Sequence, residues 1–284
     1  MEGERVRPVL RPLVVLFWVA SGLVVTATVQ LYILTGQTDR FFAWKIAEPL
    51  TAAVDGAFYL AALILLVACA RARTWTEVRP VVWGVLTIST IKLAATALHH
   101  SLFHFDHGVL TARVAAWGWL VVYALVPVAL VFLIGAELRT PGEELPRSSR
   151  LPEPVRVFAI LLAAVLMIVA VLLLFAPAST AGQWPWPLTP LTARDLSAWF
   201  AGIGLVGGLA AFHDDPASAR HVWAGSTALA LLQLVALARY PHSFRWGDPA
   251  GWLYLAVLAA IGLTGASGWL ASSSETTEMA PRLP

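Results

Sequence analysis

Eight apolar runs, each about long enough to cross a bilayer, set the terms for any fold of this chain. A helix needs roughly 20 apolar residues to span the hydrocarbon core. The runs fall at 12–35, 48–70, 80–99, 113–137, 156–177, 191–212, 221–239 and 249–271. The fifth, from Val157 to Pro177, holds no ionisable group and is the clearest; the third, sixth and seventh carry polar residues. Hydrocarbon offers no water to pair with exposed backbone groups, so such runs must be helical. The pattern predicts an all-α polytopic integral membrane protein. Of 284 residues 58% are hydrophobic and 13% charged, about half the charge of a soluble domain. The expected location is the cell membrane, multi-pass, with the lipid bilayer as surrounding partner.

The opening MEGERVRPVLRP leads into a run longer than a signal-peptide core, without a small-residue cleavage site, and reads as the first span. Basic residues in the loops set the orientation. With the N-terminus cytoplasmic, that side holds Arg5, Arg7, Arg11, Arg71, Arg73, Arg79, Arg139, Arg147, Arg150, Arg156, Arg220 and Arg282. The other side holds Arg40, Lys45, Arg113, Arg194, Arg239 and Arg245. Twelve against six places both termini inside.

The polar stretch ELRTPGEELPRSSRLPEP, from Glu137 to Pro154, reads as a cytoplasmic linker between two halves. The expected division is a first four-helix repeat at 1–137, a linker at 138–155, a second repeat at 156–271 and a disordered tail at 272–284. A weak internal repeat supports it. PLTAAVDGAF starts at Pro49 and PLTARDLSAW at Pro190, an offset of 141, and tryptophans precede each: Trp44, then Trp184 and Trp186. The same offset carries Phe103-His104-Phe105 onto Phe244-Arg245-Trp246, and a shorter loop then matches Trp119-Leu120 with Trp252-Leu253. Four spans is an even number, so both halves insert in the same orientation, as two units side by side. Pro49 and Pro190 suit the first turn of a helix. Trp44, Trp117, Trp119, Trp184, Trp186, Trp246 and Trp252 read as an interfacial aromatic belt.

Charges inside spans face protein or water rather than lipid. Asp55 and Lys92 each lie seven residues from the outer end of a span, roughly 10 Å deep at 1.5 Å per residue. Opposite charges at one depth on consecutive helices predict an ion pair. The offset carries Lys92 onto Gln233, so a polar group recurs in the seventh span, and Asp55 onto Leu196, with Arg194 and Asp195 just above at the outer face. The polar set is therefore Asp55, Lys92 and Gln233. It fits a proton relay or substrate anchor, and equally a structural joint between helices.

Four histidines, His99, His100, His104 and His107, crowd the outer end of the third span. On a continued helix His100, His104 and His107 share one face, a spacing that suits zinc or copper, with Asp106 and His242 as further ligands and His100 and His104 as the core pair. A solvated interfacial loop explains the same residues, and Phe103, Phe105 and Gly108 argue for a helix end. Eight helices in two four-helix units are similar to the architecture of haem A synthase. However, the second half offers only His213, His221 and His242, the first two on the cytoplasmic side, which is wrong for haem ligation in that arrangement.

The single cysteine, Cys69, falls in an apolar run and makes no disulfide. No clustered basic face points to nucleic acid. There is no Walker A sequence, dinucleotide fingerprint or H-E-x-x-H, and no Ser-His-Asp arrangement. Gly204 and Gly208 form a G-x-x-x-G helix-contact face. Trp44, PLTAA, the outer FHF and WGWLVVYALVP resemble uncharacterised bacterial membrane proteins, and the arginine-for-lysine usage fits a GC-rich, actinobacterial genome. The resemblance implies no activity. Three functional readings remain open: a small-solute or ion carrier or channel; a non-catalytic subunit or scaffold working within an oligomer or with a partner; and an outer-face metal or haem enzyme.

Overall fold

A computed structural model describes residues 6–144, 150–215 and 219–278. Arg5, Arg147, Arg282, the middle of the linker and the end of the tail lie outside them. Helices α1 (Arg11–Thr28), α2 (Thr38–Phe41), α3 (Pro49–Arg71), α4 (Trp75–Leu98), α5 (Leu110–Arg139), α6 (Glu153–Phe175), α7 (Pro177–Gln183), α8 (Pro190–His213), α9 (Arg220–Arg239) and α10 (Pro249–Glu278) follow in order. All but α2 and α7 are long and apolar enough to cross a membrane, and no strand forms among the described residues. The chain is an all-α, multi-spanning membrane protein.

Local chemistry fixes the ends. Pro49 and Pro190 open α3 and α8, where a missing N–H leaves nothing unpaired. Glu48 caps α3 by accepting from the Leu50 N–H at 3.2 Å, and Thr189 caps α8 by accepting from the Thr192 N–H at 3.2 Å. Helix α4 begins five residues before the apolar run, because Thr74 and Glu77 close a capping box. Helix α1 ends in a widened π turn, Val29–Ile33. Helix α10 continues to Glu278 instead of ending at residue 271.

Burial sorts the spans into two rings. In α3 and α8, 61% of the apolar stretch is buried, against 22% in α1, α5 and α6. The packing pairs come in twos: α1 on α3 and α6 on α8; α4 on α8 and α9 on α3; α4 on α5 and α9 on α10. The halves are therefore interleaved rather than side by side: α4 packs most on α8 of the other half, α3 is shared between α1 and α9, and α3 and α4 touch each other little.

Individual contacts recur at the offset of 141. A Cβ at Gly84 would clash with Val206, and one at Gly225 would come within 2.9 Å of Leu65. The offset carries Gly84 onto Gly225 and Leu65 onto Val206. Phe58 and Trp199, 141 apart, stack on each other at 5.4 Å and 9°. Tyr59 meets Trp199 edge-on at 4.8 Å, and Phe200 meets Phe58 edge-on at 6.0 Å. Gly204 and Gly208 both lie against Ala163 of α6.

The two ends of the bundle differ. At the linker end Arg7 N–H bonds the Glu143 carbonyl at 2.9 Å, Arg79 pairs with Glu144 and Leu151 N–H bonds Asp214 at 2.9 Å. The described flanks of the linker are thus tied down. At the histidine end two aromatic clusters plug the bundle. Trp119 meets Trp44 edge-on at 4.8 Å, and Tyr254 meets Trp186 edge-on at 4.9 Å. Trp44, Trp119, Trp184 and Trp186 are buried, so the belt reduces to Trp117, Trp246 and Trp252, which are exposed. Trp119 and Tyr254 occupy these plugs, while Trp252 is exposed.

Candidate functional site

Each half brings one long polar side chain into the inner ring. Lys92 of α4 is fully buried, as is Gln233 of α9. Gln233 donates from Nε2 to the Val54 carbonyl at 3.2 Å and accepts at Oε1 from the Tyr254 hydroxyl at 3.2 Å. The amide is satisfied by those two bonds. Lys92 carries a charge and meets a richer environment.

Its ammonium donates to Asp195 Oδ1 and lies 3.9 Å from Asp55 Oδ1. The expected pair of Asp55 and Lys92 is present, but the closer partner is Asp195. Sequence position had put Asp195 at the outer face beside Arg194. The structure buries it, because α4 packs along α8 and brings Lys92 against it. The offset carries Val54 onto Asp195, so Lys92 and Gln233 reach equivalent places on α8 and α3.

The two carboxyls face the same ammonium. Asp55 Oδ1 accepts from Trp199 Nε1 at 2.6 Å, while Oδ2 is buried and meets no donor. Around the ammonium stand four rings, with centroids at 5.0 Å for Trp199, 5.1 Å for Trp119, 5.3 Å for Tyr59 and 6.0 Å for Tyr123. That range suits cation–π attraction. Tyr59 and Tyr123 hydroxyls bond at 2.7 Å, and Trp119 Nε1 donates to Thr96 Oγ1 at 2.9 Å. Around Gln233, Phe200 and Tyr254 of the second half and Phe58 of α3 line a cleft of about one water's size.

A desolvated ammonium needs compensating charge and hydrogen bonds. One carboxylate balances it. The second leaves the cluster one negative charge in excess unless a proton is held between Asp55 and Asp195.

The aromatic shell went unread in the sequence, although a helical signal was there. Asp55 and Tyr59, Asp195 and Trp199, and Trp119 and Tyr123 are all i, i+4 pairs that share a face.

At the histidine end α4 stops at Leu98, a short 3₁₀ turn covers His100–Leu102, and Phe103 is extended. His100, His104 and His107 therefore share no helix face. His100 is exposed and stands apart, and His242 and Asp106 are exposed. His104 and His107 meet across a turn, ring centroids 4.5 Å apart, and the acid beside them is Asp39. His99 faces inward instead: Arg194 Nη1 donates to His99 Nε2, and Arg194 Nε donates to the Leu174 carbonyl at 3.2 Å. Burial, then the Arg194 guanidinium, pushes the His99 imidazole below its ordinary range.

These features define a class, a multi-spanning helical membrane protein with a buried ionisable cluster between its halves. No protein-family model matches the chain, and no curated protein and no solved structure matches it significantly.

Proposed function

We propose that the protein is a small-solute or ion carrier of the cell membrane in which Asp55, Asp195 and Lys92 exchange a proton. The observation that carries this reading is the second carboxyl. A structural joint needs one acid for one ammonium, and the surplus acid gives the cluster a site for a movable proton. The cluster draws on α3, α4 and α8, hence on both halves, so relative motion of the halves would change it. The reading includes a duplicated four-helix unit whose copies run the same way across the membrane, with both termini and the linker cytoplasmic. Contacts that recur at one offset support the duplication.

The test uses liposomes carrying a trapped pH indicator and a panel of small amines, amino acids, sugars and carboxylates. Wild type is expected to move protons with at least one solute class, and Asp55→Asn to abolish that movement while keeping its elution profile. Equal proton movement in wild type and Asp55→Asn for every solute would overturn the reading. A non-catalytic subunit is the second reading. It is favoured by the complete burial of Lys92, and it expects no solute-driven movement from either protein.

A further inference from the structure

Apart from the buried cluster, one group of ligand-type side chains comes together at the histidine end. Asp39, His104 and His107 each place one ligand atom so that all lie within 4.8 Å of one another. They come from two connections, residues 34–48 and 99–109, and both are held. Thr38 Oγ1 accepts from the Ile46 N–H at 2.9 Å and donates to the Ile46 carbonyl at 3.2 Å, which fixes the turn carrying Asp39. His104 N–H bonds the Ala43 carbonyl at 2.8 Å.

The tautomer of His104 follows from its neighbour. Nδ1 sits 3.0 Å from the Phe42 carbonyl, which can only accept, so Nδ1 carries the hydrogen and the Nε2 lone pair is free. Nε2 lies 3.8 Å from Asp39 Oδ1. An imidazole whose far nitrogen is bonded to a backbone carbonyl is the arrangement that orients a metal-ligating histidine. His107 accepts at Nδ1 from the Val109 N–H at 3.2 Å, a long bond at an exposed position that a cation can displace. Two imidazoles and one carboxylate, open on one side, match the donor set of a three-ligand zinc site.

We propose that Asp39, His104 and His107 form a zinc-class divalent-metal site that clamps the α1–α3 connection to the α4–α5 connection. The site is independent of the buried cluster. It has no counterpart among the described residues: the offset carries His104 onto Arg245, His107 onto Asp248 and Asp39 onto Thr180, a set without a histidine. The stoichiometry is one metal per chain.

The experiment uses full-length, tag-free protein in detergent, equilibrated with zinc, desalted and analysed for metal, with cobalt(II) absorption as a second readout. Wild type, His100→Ala and His242→Ala are expected to retain one zinc per chain and to give the visible bands of low-coordinate cobalt. Asp39→Ala and His107→Ala are expected to bind at least ~10-fold more weakly. Asp39 lies in the short α2 and His107 in a loop, and both changes leave the buried His104 in place, so folding survives. Zinc retained at the wild-type level by the Asp39→Ala/His107→Ala double variant would overturn the site. So would a wild-type protein that takes up none, leaving Asp39 and His104 as an ion pair only.

Discussion

At the residue scale the two carboxyls beside Lys92 are not equivalent. Asp195 is the ammonium's hydrogen-bond partner, whereas Asp55 holds Trp199 and stands 3.9 Å from the ammonium. Removing one partner of a buried pair leaves an uncompensated charge and costs about 3–5 kcal/mol. Lys92→Met, which leaves two buried carboxyls without a counter-ion, is expected to lose that much in denaturant unfolding in detergent; Asp195→Leu leaves Asp55 to balance the ammonium but removes its hydrogen bond, and is expected to lose about 1.5–3 kcal/mol. Asp55→Asn removes the surplus charge and keeps an oxygen for Trp199, so it is expected to be near neutral in stability. A loss as large as that of Asp195→Leu would contradict this ranking. His99 gives a pH signature. Its imidazole is held neutral by burial and Arg194, so its folded pKa lies below the ordinary value of about 6.5. Its contribution is complete above that value and is lost as pH falls through the lowered one. His99→Gln is expected to flatten the unfolding midpoint across that acidic window. The ion pair of Asp55 with Lys92 was legible in the sequence, because the rise per residue is fixed and depth can be counted. Asp195 was misplaced because a count along α8 does not say which neighbour covers that face, and it is α4 that brings Lys92 there.

At the scale of the element, helix contacts rest on missing side chains. A Cβ at Gly56 would lie 2.5 Å from the Tyr32 backbone nitrogen in the π turn, and backbone cannot rotate away. Gly56→Ala is expected to destabilise by about 1–3 kcal/mol. Gly22 meets nothing within 4 Å, so Gly22→Ala is expected to stabilise α1 by ~0.5–1 kcal/mol through helix propensity. Thermal melts of the two variants check both signs. The spans themselves were legible because hydropathy is a local property. Their ends shifted wherever a polar cap extended the helix, as Thr74 and Glu77 did for α4. The histidine run failed as a helix face for the opposite reason: α4 ends at Leu98. Asp39 lies more than sixty residues from His104, joined to it only by the folding of two connections, and no periodic pattern could have named it.

At the scale of the molecule, interleaving makes the halves depend on each other. Since α4 packs on α8 and α3 on α9, a first half ending at residue 144 leaves the inner faces of α3 and α4 uncovered. Expressed alone, either half is expected to aggregate or be degraded. Co-expressed, the two are expected to co-purify, which affinity capture on one half tests. Independent, monodisperse halves would show the side-by-side arrangement expected from the sequence.

The depth of the buried cluster has an electrical consequence. Asp55 and Lys92 sit roughly 10 Å from the histidine end at 1.5 Å per residue, in a hydrocarbon layer about 30 Å thick. A proton arriving from that side crosses about a third of the membrane field. Moving one charge through the whole field is worth about 2.3 kcal/mol per 100 mV, so the fraction is worth ~0.8 kcal/mol. On the proposed reading, the occupancy of the cluster by a proton is set by voltage as well as by pH, so proton coupling is expected to differ between an energised membrane and a detergent micelle.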